Sequence, residues 1–178
     1  LMHADIEHFY NHQFGKIKTS GSIEFGYFKQ FNDDFVRRQN SEINTKSLEM
    51  RPYRTEWMIY DLEVRIAGSI DMTFIDKNGD IHIYDWKRCK KIEKCNRFNK
   101  SAKTSFLEHL PDTNYWHYAL QLNIYRWILQ KNYGVAVKSL YLVCLHPNYS
   151  NYQMIKLPIL PAEIDDIINL RKQELSKL

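Results

Sequence analysis

The stretch Ile81-His82-Ile83-Tyr84-Asp85-Trp86-Lys87 is an apolar strand pattern that ends in an acid and a lysine. Side chains alternate between the two faces of a strand, so Asp85 and Lys87 share the face of Ile83. The sequence therefore predicts a carboxylate and an ammonium group side by side at the end of a buried strand.

A second strand pattern, within 64–74, precedes this stretch and carries a single acid, Asp71. Alternation gives it one small, polar face and one apolar face. The polar face consists of Ala67, Ser69, Asp71 and Thr73, and the apolar face of Ile66, Ile70, Met72 and Phe74. A polar strand face built around one acid is unusual and marks Asp71 as a candidate site residue.

The turn between the two strands decides whether Asp71 and Asp85 meet. A two-residue turn at Asn78-Gly79 would set Asp71 opposite Trp86 and point Asp85 to the other face. A three-residue turn with a left-handed glycine, or a five-residue loop over 76–80, would instead pair the two acids. We predict this second register.

Two carboxylates a few ångströms apart repel each other and raise one pKa unless a cation lies between them. With Lys87 adjacent, we interpret Asp71 and Asp85 as a site for Mg²⁺ or Mn²⁺, in which the ammonium orients or helps deprotonate a water on the ion. The alternative is an ordinary pair of hairpin acids with a surface ion pair to Lys87.

The other patterns surround these strands with helices. We predict helices over about 1–14, around the phenylalanines of 25–35, over 115–133 with Gly134 as its end, and from Pro161 onward. Further strands are predicted at 55–60, 139–145 and 152–159, and a polar loop at 88–111. This order predicts an α/β (α+β) fold, with a central mixed β-sheet flanked by helices, as a single domain over 1–178. The start at Leu1, inside a predicted helix, leaves open that the segment was cut from a longer chain.

The composition is that of an ordinary globular domain: 178 residues, 44% hydrophobic and 26% charged. It excludes disordered, collagen-like and coiled-coil proteins, and no apolar run approaches the ~20 residues of a membrane span. Three cysteines cannot form a disulfide framework, so we expect an intracellular setting (cytoplasm, nucleus, mitochondrion or a virus-infected cell) rather than secretion.

The net charge of +4 is unevenly distributed. Eight of the 25 basic residues and one of the 21 acids lie in 87–103, so this segment carries +7 and the rest of the chain −3. Its basic residues after Lys87 are Arg88, Lys90, Lys91, Lys94, Arg97, Lys100 and Lys103. Together with Phe98 and Phe106 they predict a DNA-binding loop, and a solvated charged surface is the alternative.

Four motifs, in order, resemble those of the PD-(D/E)XK nuclease superfamily and its RecB-like branch. The GxxD, DxK and QxxxY motifs are matched by Gly68-Ser69-Ile70-Asp71, Asp85-Trp86-Lys87 and Gln121-Leu122-Asn123-Ile124-Tyr125. The branch's helical pattern GTxxHxxxE is matched from Leu1-Met2-His3 to Glu7, except that its Gly-Thr would precede Leu1. The motifs are most similar to those of the mitochondrial genome maintenance exonuclease group, and similar sequences occur in viral proteins. Each motif alone is weak, whereas four in order are specific.

The resemblance implies a restriction-endonuclease-like core and a role for each motif residue. His3, Asp71, Asp85 and the Trp86 carbonyl would be metal ligands, and Lys87 the catalytic lysine. Gln121 and Tyr125, on one helical face, would support the lysine and the nucleic-acid end. Glu7 is placed to orient His3 or assist the metal, and Glu56 to play a supporting role near the site.

The resemblance also implies phosphodiester hydrolysis with Mg²⁺ or Mn²⁺, most simply by a single-strand DNA exonuclease of replication, recombination or repair. A double-strand exonuclease, an endonuclease, or a non-catalytic DNA-binding module of a helicase assembly are the alternatives. Several relatives hold an iron–sulfur cluster on four cysteines. This chain has three, none before Cys89, so we expect no cluster, and Cys89, Cys95 and His109 lack the spacing of a zinc site.

Overall fold

Strand β3 (Ile81–Lys87), buried along nearly its whole length, lies in the middle of a mixed sheet. The structure, a computed structural model, describes residues 1–39, 49–95 and 104–177. Within these ranges the five strands follow the order β1 (Arg51–Asp61), β2 (Ile66–Ile75), β3, β4 (Val137–Cys144) and β5 (Gln153–Leu157). Neighbours are antiparallel except β3 and β4, which are parallel. The predicted mixed sheet is confirmed.

Helices cover both faces of the sheet. Helices α1 (Met2–Tyr10) and α2 (Ile23–Gln39) pack on one face, and α3 (Asn114–Asn132), the crossover between the parallel strands, packs on the other. Helix α4 (Pro161–Leu175) packs beside α3 and over the β1–β2 turn. None of the helices in the described ranges combines the length and apolar character needed to cross a membrane.

The register of β2 and β3 agrees with the second of the two predicted alternatives. Met72 pairs with Tyr84 and Ile75 with Ile81, across a five-residue loop in which Gly79 has a left-handed φ of +83°. The amide of one loop end, Asp76, donates to the carbonyl of the other, Asp80, over 3.0 Å. The loop length therefore sets Asp71 and Asp85 one step beyond the last pair.

One predicted boundary near the N-terminus is wrong. The first helix ends at Tyr10 rather than near Phe14, because His12 takes a left-handed φ of +57° that no helix continues through. A short 3₁₀ turn, Phe14–Lys16, follows. Residues 40–48, after the second helix, lie outside the described residues, as do 96–103 of the predicted loop.

The predicted apolar face of β2 is also wrong, because the strand changes face at Asp71. Ile70 packs in the core under α3, whereas Met72 packs in the core under α1 and α2. Residues two apart share a face in a regular strand, so the backbone must rotate between them. The residue across from Asp71 on β1, Glu56, has a left-handed φ of +43°, a conformation that is strained for a side chain with a Cβ. The sheet is therefore kinked at the level of Asp71.

Aromatic packing holds β3 against α2. Trp86 is fully buried, and its ring meets Phe28 and Phe31 edge-on with centroids 5.6 and 5.3 Å apart. Edge-to-face pairs of this kind add about 0.5–1.5 kcal/mol beyond the burial of their area. The strand that carries Asp85 and Lys87 is thus fixed from the side opposite to those two residues.

A buried carboxylate, Asp61, ties the β1–β2 turn to the end of α3. It accepts hydrogen bonds from the Val64 amide (3.0 Å), Lys131 Nζ (2.8 Å) and Asn132 Nδ2 (2.9 Å). Burial acts to raise the pKa of Asp61, but these donors outweigh it and lower the pKa to about 2. The ionised form is therefore part of the folded structure.

We expect Asp61→Ala to lower the free energy of unfolding by about 2 kcal/mol at pH 7, because it leaves buried donors without an acceptor. Urea unfolding measures the difference. Since the folded-state pKa lies below the ordinary value of 3.8, the stabilisation is present above that value and lost as pH falls toward 2. The difference in unfolding free energy between wild type and Asp61→Ala should therefore become smaller as pH falls over that range.

Glu63→Ala is the matched control, because Glu63 also pairs with Lys131 (2.6 Å) but is half exposed. An exposed ion pair contributes about 0–1 kcal/mol. Equal losses in the two variants, or a gap that does not change with pH, would contradict the role given to Asp61.

Candidate active site

Strands β2 and β3 separate just beyond the Met72–Tyr84 pair, and the candidate residues lie in the fork between them. Asp71 does not continue the ladder as the paired register predicts. Its carboxylate Oδ2 instead accepts a hydrogen bond from the backbone amide of Trp86, over 2.9 Å. The Asp71 side chain of β2 thereby takes the place of a backbone acceptor for β3 and fixes the separation of the two strands at the fork.

Asp85 is the buried acid of the fork, with 5% of its surface exposed. Lys87 Nζ lies 2.7 Å from its Oδ2. Burial and the neighbouring charge of Asp71 raise the pKa of Asp85 to about 6, against the opposing effect of Lys87. Burial acts to lower the pKa of Lys87, but the two carboxylates outweigh it and the net shift is upward. The lysine is therefore held as an ammonium ion against the acid.

His3, on the first turn of α1, reaches the same fork from the face of the sheet that α1 and α2 cover. Its Nε2 lies 2.7 Å from the Trp86 carbonyl oxygen and 3.4 Å from Asp71 Oδ2. A carbonyl can only accept, so Nε2 carries the hydrogen here. Interaction with the Asp71 carboxylate raises the pKa of His3 despite its partial burial. The predicted grouping of His3, Asp71, Asp85 and the Trp86 carbonyl is thus present in space.

Two further acids, Glu7 and Glu56, lie beside Asp71. The strained Glu56 accepts a hydrogen bond from Ser69 Oγ (3.0 Å), and burial together with the charges of Asp71 and Glu7 raises its pKa. No contact of Glu7 with His3 is present among the described interactions. Both acids therefore border the fork, and Glu56 is anchored to the strand that carries Asp71.

Helix α3 closes the fork from the opposite face, through an unusually close approach to Gly68. An added Cβ at Gly68 would lie 2.4 Å from Cε1 of Tyr125, closer than any stable contact. The Tyr125 hydroxyl accepts a hydrogen bond from Gln121 Nε2 over 2.9 Å. Gly68 is therefore required for space, and it brings the GxxD and QxxxY motifs into direct contact.

A residue that the sequence analysis did not single out, Tyr118, contacts the lysine. Lys87 Nζ lies 4.7 Å from the centre of its ring, a distance at which a cation is attracted to the π-face. Gln121, expected to support the lysine, instead bonds to Tyr125. Tyr118 lies one turn before Gln121, so the helical spacing of 118, 121 and 125 was the signal that could have identified it.

The basic segment after β3 is only partly described. Arg88 pairs with Glu24 on α2 (2.7 Å), Lys91 with Glu93 (2.9 Å), and Lys94 Nζ lies 5.0 Å from the centre of the Tyr115 ring. Lys90 is exposed. Arg97, Lys100 and Lys103, together with Phe98, lie outside the described residues.

The donors in the fork suit a divalent cation. Asp85 Oδ2 is buried, and the Lys87 ammonium lies 2.7 Å from it. Carboxylate and carbonyl oxygens with one imidazole nitrogen form a ligand set for Mg²⁺ or Mn²⁺. Within the described ranges no three His, Cys, Asp or Glu side chains already converge on one point as chelators. His3 is bonded to the Trp86 carbonyl and would have to release it to act as a ligand.

Comparison with known proteins agrees with this geometry. The family model of the PD-(D/E)XK nuclease superfamily matches residues 8–175. The chain belongs to the PD-(D/E)XK nuclease superfamily. Enzymes of this superfamily are phosphodiester hydrolases that typically use divalent metals. Asp71, Asp85, Lys87 and Tyr125 all lie inside the matched range, and His3 lies before it.

Two solved structures are similar to this chain at low sequence identity. A candidate exonuclease from Eubacterium rectale is 10% identical, with a TM-score of 0.48 over 99% of this chain. The protein SSO0001 is 13% identical, with a TM-score of 0.35 over 98% of this chain. The chain spans 64% of the first protein's length and 71% of the second's. No curated protein sequence matches it.

We expect Gly68→Ala to lower the free energy of unfolding by about 1–3 kcal/mol, because the methyl group must displace the Tyr125 ring. Gly26→Ala in α2 is the control, since an added Cβ there meets no atom within 4 Å. It should instead stabilise the helix by about 0.5–1 kcal/mol. Urea unfolding of both variants checks the pair, and a neutral Gly68→Ala would contradict the close approach.

Proposed function

We propose that this nuclease is a metal-dependent deoxyribonuclease that removes nucleotides from single strands or DNA ends. The observation that carries the proposal is the fork itself. It brings two carboxylates, an ammonium group and an imidazole together within ion-pair and hydrogen-bond distances, although they come from three separate elements. An ordinary hairpin with surface acids would not bury Asp85 to 5% exposure beside a second carboxylate.

Asp71, Asp85, His3 and the Trp86 carbonyl would hold the metal. A bound Mg²⁺ or Mn²⁺ supplies positive charge to phosphate oxygens and lowers the pKa of water. Asp71 is oriented for this role by the Trp86 amide, and Asp85 by its burial beside Lys87. The chain therefore holds the two carboxylates in place before the substrate arrives, which lowers the reorganisation needed for catalysis, whereas His3 and the Trp86 carbonyl would first have to part.

Lys87 would act as a hydrogen-bond donor to the attacked phosphate and to the water that attacks it. Asp85 holds its ammonium from one side, and the Tyr118 ring faces it at 4.7 Å. Gln121 and Tyr125 act one step further away, because their mutual hydrogen bond fixes the α3 face that packs on Gly68. We assign Tyr118, Gln121 and Tyr125 as positioning residues and Lys87 as the catalytic residue.

The charge distribution fits a nucleic-acid substrate, for which we propose DNA. The excess of basic residues begins at Lys87 itself and continues along 88–103, which suits a phosphate backbone. Single-strand exonuclease action in replication, recombination or repair, within the RecB-like and mitochondrial genome maintenance exonuclease-like branch, is the finer reading that the motif set supports. A helicase attached to or associated with the chain is part of that proposal.

We expect Lys87→Ala to lower metal-dependent cleavage of labelled single-stranded DNA by about 10²–10³-fold, because a preorganised donor to the phosphate is lost. Lys138→Ala is the control, since Lys138 is an exposed lysine paired with Asp80 away from the fork. Its rate should stay within about threefold of wild type. Blunt and flapped substrates, run in parallel, separate exonuclease from endonuclease action.

Cleavage that survives both Lys87→Ala and a chelator would contradict the mechanism. DNA binding without hydrolysis under any metal would indicate a non-catalytic module instead.

We expect Mn²⁺ to support cleavage at least as well as Mg²⁺, because an imidazole ligand is softer than an all-oxygen set. His3→Ala should remove this relative advantage by weakening Mn²⁺-dependent cleavage more than Mg²⁺-dependent cleavage. His8→Ala is the control, because His8 lies on the same helix and contacts Gln13 rather than the fork. Metal titrations of the cleavage rate test both statements. A wild-type enzyme far more active with Mg²⁺ would argue against His3 as a ligand.

A further inference from the structure

A groove of about 520 Å³ lies beside the active site, between the end of α1 and the edge strand β1. Its size is that of a small-molecule site. Aromatic rings, amides and one guanidinium group line it, and none of its lining residues is acidic. Its lining includes Phe9, Asn11, Phe14, Tyr53 and Arg54.

Arg54 lines both this groove and the adjoining groove that contains Trp57, Glu7 and Glu56, and its guanidinium group lies over two aromatic rings. Its guanidinium carbon lies 4.9 Å from the centre of the Trp57 ring and 5.5 Å from that of Tyr53. Thr73 pins its backbone with two hydrogen bonds, of 3.2 and 3.1 Å. Within the described part of the chain Arg54 has no carboxylate partner, and its side chain is exposed. One planar face of the cation is therefore covered by rings while its charge stays unpaired.

Helix α1 connects the groove to the active site. His3, Glu7 and Asn11 follow at successive turns, and a rise of 1.5 Å per residue places Asn11 roughly 12 Å beyond His3. Asn11 donates to Thr55 Oγ1 over 3.3 Å, which closes α1 onto β1 next to Arg54. A strand whose phosphate lies in the fork would reach the groove within a few nucleotides.

The acids on the way to the groove decide which part of a strand could face it. Glu7 and Glu56 line the adjoining groove together with Tyr53, Arg54 and Trp57, and carboxylates repel backbone phosphates. The described part of the basic segment, residues 88–95, follows β3 directly, whereas β1 lies on the β2 side of the fork. A strand would therefore turn its phosphates toward the basic segment and its uncharged bases toward α1 and β1.

We propose that the groove binds one unpaired nucleobase of the substrate strand, stacked on the open face of the Arg54 guanidinium and beside the Tyr53 ring. Bases stack on arginine planes and aromatic rings irrespective of their sequence. Asn11 offers an amide for the edge of the base. This proposal rests on the proposed nuclease function and adds to it a subsite for single-stranded nucleic acid a few nucleotides from the cleaved bond.

The test combines a base deletion with a side-chain deletion. The Lys87→Ala chain is used in Mn²⁺ because its cleavage is slow. Fluorescence anisotropy measures its Kd for a labelled single-stranded 12-mer in which one abasic site is moved from position to position. We expect one abasic position near an end to weaken binding by about 5- to 50-fold. Arg54→Ala, added to this background, should cause a similar loss with the intact oligonucleotide but little further loss with that abasic oligonucleotide.

Matched controls lie on the same strand. Arg51→Ala removes an exposed arginine outside the groove, and Tyr60→Ala removes an exposed tyrosine. Arg51→Ala should weaken all oligonucleotides equally and slightly, as a change in overall charge does. The effect of Tyr60→Ala on the Kd should be the same at every abasic position. The effect of Tyr53→Ala should shrink at the same abasic position as the effect of Arg54→Ala.

Equal losses from Arg54→Ala at every abasic position would show a charge effect only and overturn the subsite. Insensitivity of binding to every abasic position would overturn it as well. Either result leaves the nuclease proposal standing if wild type hydrolyses DNA with metal. If the Arg54→Ala effect depends on the abasic position but wild type never hydrolyses DNA, the subsite is supported and the nuclease proposal is overturned.

Discussion

The hydrogen bond from the Trp86 amide to the Asp71 carboxylate is the interaction on which the active site depends. It ends the β2–β3 ladder with a side chain, so the two strands part while remaining tied. Asp85 then continues beside β4 and stays buried, and Lys87 follows it on the same face. Because the amide has no other strand to bond to at this point, loss of the carboxylate would leave a buried donor unsatisfied. The fold and the proposed chemistry therefore both require a carboxylate at position 71.

Both faces of the sheet hold the fork in place, by different means. On one face the Trp86 ring is clamped by the phenylalanines of α2, which fixes the backbone carbonyl and amide that the site uses. On the other face Tyr125 of α3 occupies the space that Gly68 leaves empty. The kink at Asp71, with the left-handed Glu56 opposite, lets one strand serve both layers. Local strain of this kind is typical of functional sites and requires support from the surrounding packing.

The sequence predicted what depends on strand period and turn length. Alternation along 81–87 and a five-residue turn were enough to bring Asp71 and Asp85 together, and motif order was enough for the superfamily. It missed the changes of backbone direction at His12 and Asp71, because an apolar periodicity does not locate a break in a regular helix or strand. It also missed Tyr118, because a tyrosine on an amphipathic helix is ordinarily a packing residue. The predicted apolar face of β2 was wrong because periodicity assumes a regular strand, and β2 is kinked at Asp71.

The central claim is that the fork between β2 and β3 binds a catalytic divalent metal, and direct titration tests it without reference to any substrate. Electron paramagnetic resonance counts unbound Mn²⁺ as the protein is added. We expect wild type to bind Mn²⁺ and Asp85→Asn to bind it at least about tenfold more weakly, because one anionic ligand is lost. Asp166→Asn, which changes an exposed acid on α4, should bind as wild type does. Unchanged Mn²⁺ affinity in Asp85→Asn and in Asp71→Asn would contradict the account.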